Sequence, residues 1–255
     1  MKRGVILSLA TILLCTGITS QLSGQGVVRI AAAANLRYAM EEIEANYESA
    51  NSGVDIQINY GASGMFFQQI SNGAPYNLFL SADEGFPAKV VEAGLAQGEA
   101  QVYACGALAL YGLRDDVDAK GLVLLKDASI RKISIANPRT APYGARSVEL
   151  LKAQGMWDDL EKRVIYGESI SQAAQFATTG NVDLGFVALS LLLDPKTKIK
   201  GSYYKIPQEL YAPIAQAGVL IKQKSECAEA AKFFEYILSP ACTEVWDKYG
   251  YFTTK

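Results

Sequence analysis

The sequence predicts an α/β protein with two lobes and a cleft between them, and three observations support this fold class. Apolar runs typical of strands alternate with amphipathic segments typical of helices, which is the pattern of mostly parallel sheets with helices on both faces. A polar stretch, Arg114–Lys120, interrupts the pattern, and the same alternation then begins again. The chain has 255 residues, of which 50% are hydrophobic and 20% charged, so it can form a sizeable core.

The first unit starts with a buried strand and an amphipathic helix. Val27–Ala33 is mostly apolar, as expected for a strand buried on both faces, and Leu36–Ala50 has the apolar spacing of a helix that packs on a sheet. The remaining elements alternate in the same way: a strand at Val54–Tyr60, a helix at Met65–Ser71, a strand at Leu78–Ser81, a helix at Pro87–Ala93 and a long strand at Gln101–Leu113.

The second unit repeats this order before the chain ends in two helices. Its predicted elements are strands at Ile133–Ala136, Arg163–Tyr166, Leu184–Val187 and Gln216–Ile221, and helices at Ala145–Gln154, Ser171–Thr179, Ala228–Leu238 and Ala241–Tyr249. We therefore expect one lobe at 26–104, completed by about 220–255, and a second lobe at 105–219. The crossovers near Ala104 and within Pro207–Pro213 are the candidate hinges.

The first 25 residues have the three regions of a secretory signal peptide. Met1–Arg3 is basic, Val5–Ile18 is apolar and Gln21–Gln25 is polar, and the apolar run is short for a membrane span. We expect residues 1–25 to be cleaved; an uncleaved anchor is the alternative. An exported protein can form disulfides, so Cys227 and Cys242, which flank a predicted helix, either pair or stay free. Cys105 lies in an apolar run and is predicted to be a buried free thiol.

The composition excludes several functions. The chain contains no His, which excludes a Ser-His-Asp triad, a Cys-His pair and any His-bearing metal site. Its net charge is −2, so it lacks the general basic footprint of a nucleic-acid-binding protein. No glycine-rich nucleotide-binding motif is present, and we expect no cofactor.

Four turns between a predicted strand and a predicted helix share one chemistry, that of a helix N-terminus. There, free N–H groups and a partial positive charge can bind an anion without Lys or Arg, and such turns converge at the carboxyl ends of the strands. Asn35, Ser63 and Tyr143 would add side-chain donors. Ordinary helix capping is the alternative explanation. The turns are Ala34-Asn35, Ala62–Gly64, Pro142–Gly144 and Glu168–Ser171.

Two further sets of charged residues are weaker candidates. Asp83 and Glu168 follow strands and could act as acid or base in an exported enzyme, or serve only as cap or hinge residues. Arg37 and Arg146 lie in the first turns of helices, where they either steer an anion or are simply exposed.

Several segments together resemble the periplasmic molybdate-binding proteins of ABC importers, in the right order along the mature chain. The most specific segment is Gly73–Asp83; the others are Ala31–Met40, Gly61–Gly64, Asn137–Gly144, Asp183–Val187 and Lys248–Phe252. The resemblance implies a type II periplasmic binding fold and a receptor rather than an enzyme. One ligand in each closing cleft makes a monomer the simplest expectation. Such a receptor captures molybdate, and tungstate, in the periplasm and delivers it to a membrane ABC permease.

The resemblance also implies the ligand contacts. They are Asn35 with the adjacent backbone of Ala34, Ser63, Tyr143 and the Ile170 amide, which hold the oxygens of molybdate with no direct protein–metal bond. Many members carry a Tyr donor where this chain has Ala188, and we expect the Tyr143 phenol to replace it from the other side of the cleft.

The ligand could instead be sulfate or another tetrahedral oxyanion. A site made only of donors suits a fully deprotonated dianion and disfavours hydrogen phosphate, whose buried hydroxyl would lack an acceptor. Molybdate and sulfate present the same oxygens, so cavity size must distinguish them.

Overall fold

The computed structural model describes residues 26–196, 199–223 and 227–252. The expected signal peptide at 1–25 lies outside these ranges. Among the helices in the described ranges, none combines the length and apolar character that crossing a bilayer requires.

Within the described ranges, ten strands form two five-stranded sheets, one in each lobe. The strands of the first lobe are β1 (Gly26–Ala33), β2 (Val54–Gly61), β3 (Leu78–Leu80), β4 (Ala96–Gly106) and β10 (Ile214–Ile221). Those of the second lobe are β5 (Leu108–Gly112), β6 (Ile133–Ala136), β7 (Val164–Gly167), β8 (Leu184–Ala188) and β9 (Ser202–Lys205). The spatial orders are β2-β1-β3-β10-β4 and β7-β6-β8-β5-β9.

The two-lobed α/β prediction is confirmed, but the sheets are mixed rather than mostly parallel. In the first sheet β1 pairs in parallel with β2 and β3, whereas β10 is antiparallel to β3 and β4. In the second sheet β6 is parallel to β7 and β8, whereas β5 is antiparallel to β8 and β9. The antiparallel strands are those beside the two crossovers, where the chain leaves one lobe and later returns.

Helices cover both sheets. In the first lobe they are α1 (Arg37–Ala50), α2 (Ser63–Ser71), α3 (Gly85–Glu92), α8 (Ala228–Leu238) and α9 (Thr243–Lys248). In the second lobe they are α4 (Val117–Lys120), α5 (Pro142–Ala153), α6 (Trp157–Leu160) and α7 (Ile170–Thr178). α1 buries Ala39, Met40, Ile43 and Tyr47, one face of a helix with 3.6 residues per turn.

The second crossover lies within the predicted hinge Pro207–Pro213, between β9 and β10, but two predicted boundaries are wrong. The single strand expected at Gln101–Leu113 is two strands, β4 and β5, which separate at Ala107 and belong to different sheets. The boundary expected at residue 219 falls inside β10, which lies wholly in the first sheet. Both errors have one cause. An apolar run indicates a buried strand, but it does not indicate where the strand ends or which of two buried sheets it joins. The edge strand β9 was not predicted from the sequence.

All three cysteines in the described ranges are free thiols. Cys105 is buried, as predicted. The Cys242 thiol donates to the Tyr236 carbonyl at 3.2 Å, while Cys227 Sγ lies 4.0 Å from the Val27 carbonyl. The two thiols thus contact different parts of the fold, and Cys227 and Cys242 do not form a disulfide in the structure.

Candidate functional site

A small cavity lies between the lobes, with a volume of about 10 Å³, roughly the room for one water molecule. It contains all five residues proposed as ligand contacts, namely Ala34, Asn35, Ser63, Tyr143 and Ile170. Small residues complete its wall: Ala33, Gly61, Ala62, Ala82, Ala141 and Pro142. Ala62 and Pro142 belong to turns predicted from the sequence, whereas the other four were not proposed as part of the site. None of these residues carries a charge.

The beginnings of four helices meet at this cavity. Ala34 and Asn35 form the 3₁₀ turn that leads into α1, and Ser63, Pro142 and Ile170 are the first residues of α2, α5 and α7. Because the first N–H groups of a helix have no partner within it, the four turns direct partial positive charge towards one point. The arrangement therefore attracts an anion without using a cationic side chain.

The capping alternative applies to only one of these helices. Ser169 caps α7, since its Oγ accepts from the Gln172 amide at 3.3 Å. No side chain caps α1, α2 or α5. Asn35 and Ser63, which resemble caps in the sequence, have other partners, so capping does not explain why these residue types occur here.

Ser63 is held so that its hydroxyl can donate. The side chain is 1% exposed, and its Oγ accepts a hydrogen bond from the Ala82 amide at 3.0 Å. A hydroxyl has one proton and two acceptor lone pairs, so this bond leaves the Ser63 proton available to a ligand.

Tyr143 is a second neutral donor, supplied by the other lobe. It is 1% exposed, and its oxygen accepts from Gln216 Nε2 at 3.1 Å. Burial, reinforced by the neighbouring phenols, raises the pKa of the Tyr143 phenol well above its usual value. The phenol therefore keeps its proton at neutral pH.

The Asn35 side chain is not the donor that was expected. Its Nδ2 donates to Gln216 Oε1 at 2.9 Å and to Tyr251 Oη at 2.8 Å, which uses both amide protons. Its Oδ1 is buried and has no hydrogen-bond donor among the described residues. Of the Asn35 polar groups, the backbone amide is therefore the one suited to an anion.

A buried polar network supports the cavity, and the sequence analysis did not detect it. Gln216 is 0% exposed, and its Oε1 also lies 3.2 Å from Tyr103 Oη. Tyr251 donates to the Asn35 carbonyl at 2.8 Å and packs edge-on against Trp246. An aromatic run carries no signal that its hydroxyl meets an amide more than two hundred residues away.

Direct contacts join the lobes around the cavity. The Gly64 amide of α2 donates to the Thr140 carbonyl of the second lobe at 2.8 Å. In the opposite direction, the Ser171 hydroxyl of α7, in the second lobe, donates to the Ala34 carbonyl of the first lobe at 3.1 Å. These bonds bring the lobes together, so that a ligand in the cavity would touch both.

The charged candidates lie elsewhere. The Asp83 carboxylate accepts from the Ser81 hydroxyl at 2.8 Å and from the Phe86 amide at 3.1 Å, which orders the turn before α3. Glu168 is exposed. Arg37 stacks on the Tyr60 ring and Arg146 pairs with Glu149. Across the described ranges, no three His, Cys, Asp or Glu side chains cluster in the way a metal ion requires.

Tyr143 and Ala188 belong to the same lobe, because α5 and β8 both pack in the second lobe. The expectation that Tyr143 reaches the ligand from the opposite side to Ala188 is therefore wrong. Ala188 ends β8, pairs with Leu108 and is absent from the wall of the cavity.

Comparison with known proteins identifies the family. The family model of bacterial extracellular solute-binding proteins matches residues 28–252. The molybdate-binding protein ModA of Rhodobacter capsulatus is 41% identical over 230 residues, 89% of this chain and 89% of that protein. ModA of Azotobacter vinelandii is 37% identical over 247 residues, 96% of this chain and 97% of that protein.

A solved structure supports the same assignment. The periplasmic molybdate-binding protein of Azotobacter vinelandii aligns with a TM-score of 0.84 and 34% sequence identity, covering 89% of this chain and 100% of that chain. These matches confirm the resemblance drawn from the sequence. The chain belongs to the bacterial extracellular solute-binding proteins.

Proposed function

We propose that this protein is a periplasmic receptor that binds molybdate, and tungstate, and delivers it to a membrane ABC permease. The observation that carries the proposal is the uncharged cavity at which four helix N-termini and the Ser63 and Tyr143 hydroxyls meet. Hydrogen bonds from neutral donors to an anion, made in a buried site, replace the hydration shell of the dianion. The Rhodobacter and Azotobacter relatives named as molybdate-binding support this choice of ligand.

The same arrangement favours binding over catalysis. Asp83 and Glu168 are absent from the wall of the cavity, and the chain has no His to act as a general base. The contacts are the Ala34 and Asn35 backbone, the Ser63 and Tyr143 hydroxyls and the Ile170 amide, all bound to the oxygens rather than to molybdenum. One anion held between two lobes requires no second subunit, so we propose a monomer, exported by cleavage of residues 1–25.

A protonated oxyanion such as hydrogen phosphate is a second candidate ligand. One observation favours it: Asn35, which lines the cavity, has a buried Oδ1 without a donor among the described residues. An anion that carries a proton could supply that donor, whereas molybdate and sulfate at neutral pH could not.

Thermal unfolding with different anions tests these ligand classes. We expect molybdate and tungstate to raise the unfolding temperature of the mature protein, since a ligand at ~1,000 times its Kd adds about 4 kcal/mol of stability. Sulfate and phosphate at the same concentration serve as the comparison. A shift with sulfate or phosphate alone would reassign the ligand, and no shift with any anion would refute the receptor function.

Replacing Tyr143 with phenylalanine should weaken molybdate binding. The variant loses one hydrogen bond to a charged group, worth about 1.5–3 kcal/mol, or roughly 10- to 150-fold in Kd by titration calorimetry. Tyr166→Phe is the matched control, because Tyr166 is 45% exposed on β7 and lies outside the cavity wall. An unchanged Kd for Tyr143→Phe would show that the phenol only packs.

A further inference from the structure

The Tyr143 oxygen has a partner that determines the direction of its proton. Gln216 Nε2 lies 3.1 Å from Tyr143 Oη, and an amide nitrogen can only donate. The phenol oxygen therefore acts as the acceptor in this bond. Its own proton must point away from Gln216, and no acceptor for it is found among the described residues.

The other partners of Gln216 determine which end of its carboxamide faces Tyr143. Its Oε1 accepts from Asn35 Nδ2 at 2.9 Å. The single proton of the Tyr103 phenol goes to the Ser81 carbonyl at 2.7 Å rather than to Gln216 Oε1 at 3.2 Å. The Asn35 amide therefore holds the carbonyl end towards the first lobe and leaves the NH₂ end for Tyr143. Gln216 is 0% exposed, so water does not compete for either end.

The backbone of Gly106 lies close to both side chains of this contact. A Cβ atom at Gly106 would overlap both Tyr143 Oη and Gln216 Nε2. Gly106 is the last residue of β4, where the chain crosses to the second lobe. The amide and the phenol are thus confined together at the junction of the lobes.

We propose that Gln216 is a positioning residue that directs the Tyr143 proton into the anion cavity. Because the Gln216 amide donates to the phenol oxygen, the phenol proton is left to donate to a ligand in the cavity. This inference rests on the proposed oxyanion-binding function and adds to it a residue that does not line the cavity. Because Gln216 belongs to β10 and Tyr143 to α5, the donor is correctly oriented only when both lobes are in contact.

The variant Gln216→Glu reverses the polarity of this contact with almost no change in shape. When ionised, the introduced carboxylate would accept the Tyr143 proton and withdraw it from the ligand. It would also add negative charge near the anion. We expect Kd for molybdate to rise at least about 100-fold at pH 8. At pH 5, a protonated carboxyl can again donate to the phenol oxygen. We therefore expect the ratio of the Gln216→Glu Kd to the wild-type Kd to be at least tenfold smaller at pH 5 than at pH 8.

The phenols around Gln216 keep their protons in this range, so the response can be assigned to the new carboxyl. Burial raises the pKa values of the Tyr103, Tyr143 and Tyr251 phenols that face it. The charged side chain that acts on this cluster is Asp83, through Tyr103, and it is present in every variant compared. Wild type measured at both pH values corrects for Asp83 and for protonation of molybdate itself.

A second variant separates positioning from general disruption. Gln216→Leu removes the donor but cannot titrate, so its loss of affinity should be the same at pH 5 and pH 8. In a Tyr143→Phe background the penalty of Gln216→Leu should shrink at least tenfold, because the hydroxyl it orients is gone. Urea unfolding of each variant at both pH values verifies that the protein is folded.

The outcomes distinguish this inference from the proposed function. If wild type binds molybdate but Gln216→Glu and Gln216→Leu both bind within about threefold of it at pH 8, the positioning role is wrong. A Gln216→Glu loss that is independent of pH, or a Gln216→Leu loss that is additive with Tyr143→Phe, would equally overturn it. If wild type binds none of molybdate, tungstate, sulfate and phosphate, the proposed function fails and this inference fails with it.

Discussion

Gly106→Ala is expected to abolish tight anion binding, although Gly106 does not line the cavity. The new methyl group would overlap the Tyr143 hydroxyl and the Gln216 amide. Both side chains are almost fully buried, so neither can move aside into free space. Tyr143 would have to leave its position, and the contact with Gln216 would break.

The expected loss exceeds that of Tyr143→Phe because two effects combine. Removal of the phenol from the anion costs about 1.5–3 kcal/mol, and leaving buried amide groups without partners costs about 1–3 kcal/mol more. We therefore expect a rise in Kd of at least about 100-fold in titration calorimetry. Gly85→Ala is the control, since a Cβ there meets Asp83 Oδ2 at an ordinary 3.5 Å. Wild-type affinity in Gly106→Ala would show that the junction tolerates side chains.

Gly144→Ala is expected to have the largest effect on stability. A Cβ at Gly144 would overlap the Ala136 carbonyl oxygen and lie 2.7 Å from its carbon and 3.2 Å from the Asn137 carbonyl carbon. All three atoms belong to the backbone at the end of β6, so no side-chain rotation can relieve the clash. The start of α5 would have to move away from the sheet, and it carries Tyr143 with it.

Urea denaturation should detect this change directly. Overpacking of a tight core typically costs about 1–3 kcal/mol and more when backbone must move, so we expect Gly144→Ala to lose at least about 3 kcal/mol of unfolding free energy. Molybdate should also stabilise this variant less than wild type, because the Tyr143 donor is displaced. Gly85→Ala again serves as the control. An unfolding midpoint equal to that of wild type would contradict the close approach of α5 to β6.

The two glycines show where sequence reasoning succeeds and where it ends. Gly144 was recognised as part of the Pro142–Gly144 turn, since a strand followed by a small-residue turn and a helix is a local pattern. Gly106 was not recognised, because it lies in an apolar run and its importance comes from two side chains that are distant in the chain. The break between β4 and β5 was missed for the same reason.

The candidate site also combines features that the sequence predicts with features that it does not. The turns that hold Ala34, Ser63 and Ile170 could be proposed from sequence because each leads into a helix, whose N-terminus offers free backbone N–H groups. The individual contacts of Ala34 and Ile170 were implied by the family resemblance. The partners of Asn35 could not be predicted. Its amide protons bind Gln216 and Tyr251, which follow it by 181 and 216 residues.

By itself the sequence determined the order of strands and helices, the two-lobed class, the excluded chemistries and the turns at which an anion would bind. These follow from local periodicity and from residue types, which act over a few positions. Only the tertiary structure decided that the sheets are mixed, that β10 returns to the first lobe, and that Gln216 holds Tyr143 and Asn35 together. Those features depend on which distant segments become neighbours, and the burial that makes their hydrogen bonds matter exists only once both lobes have packed.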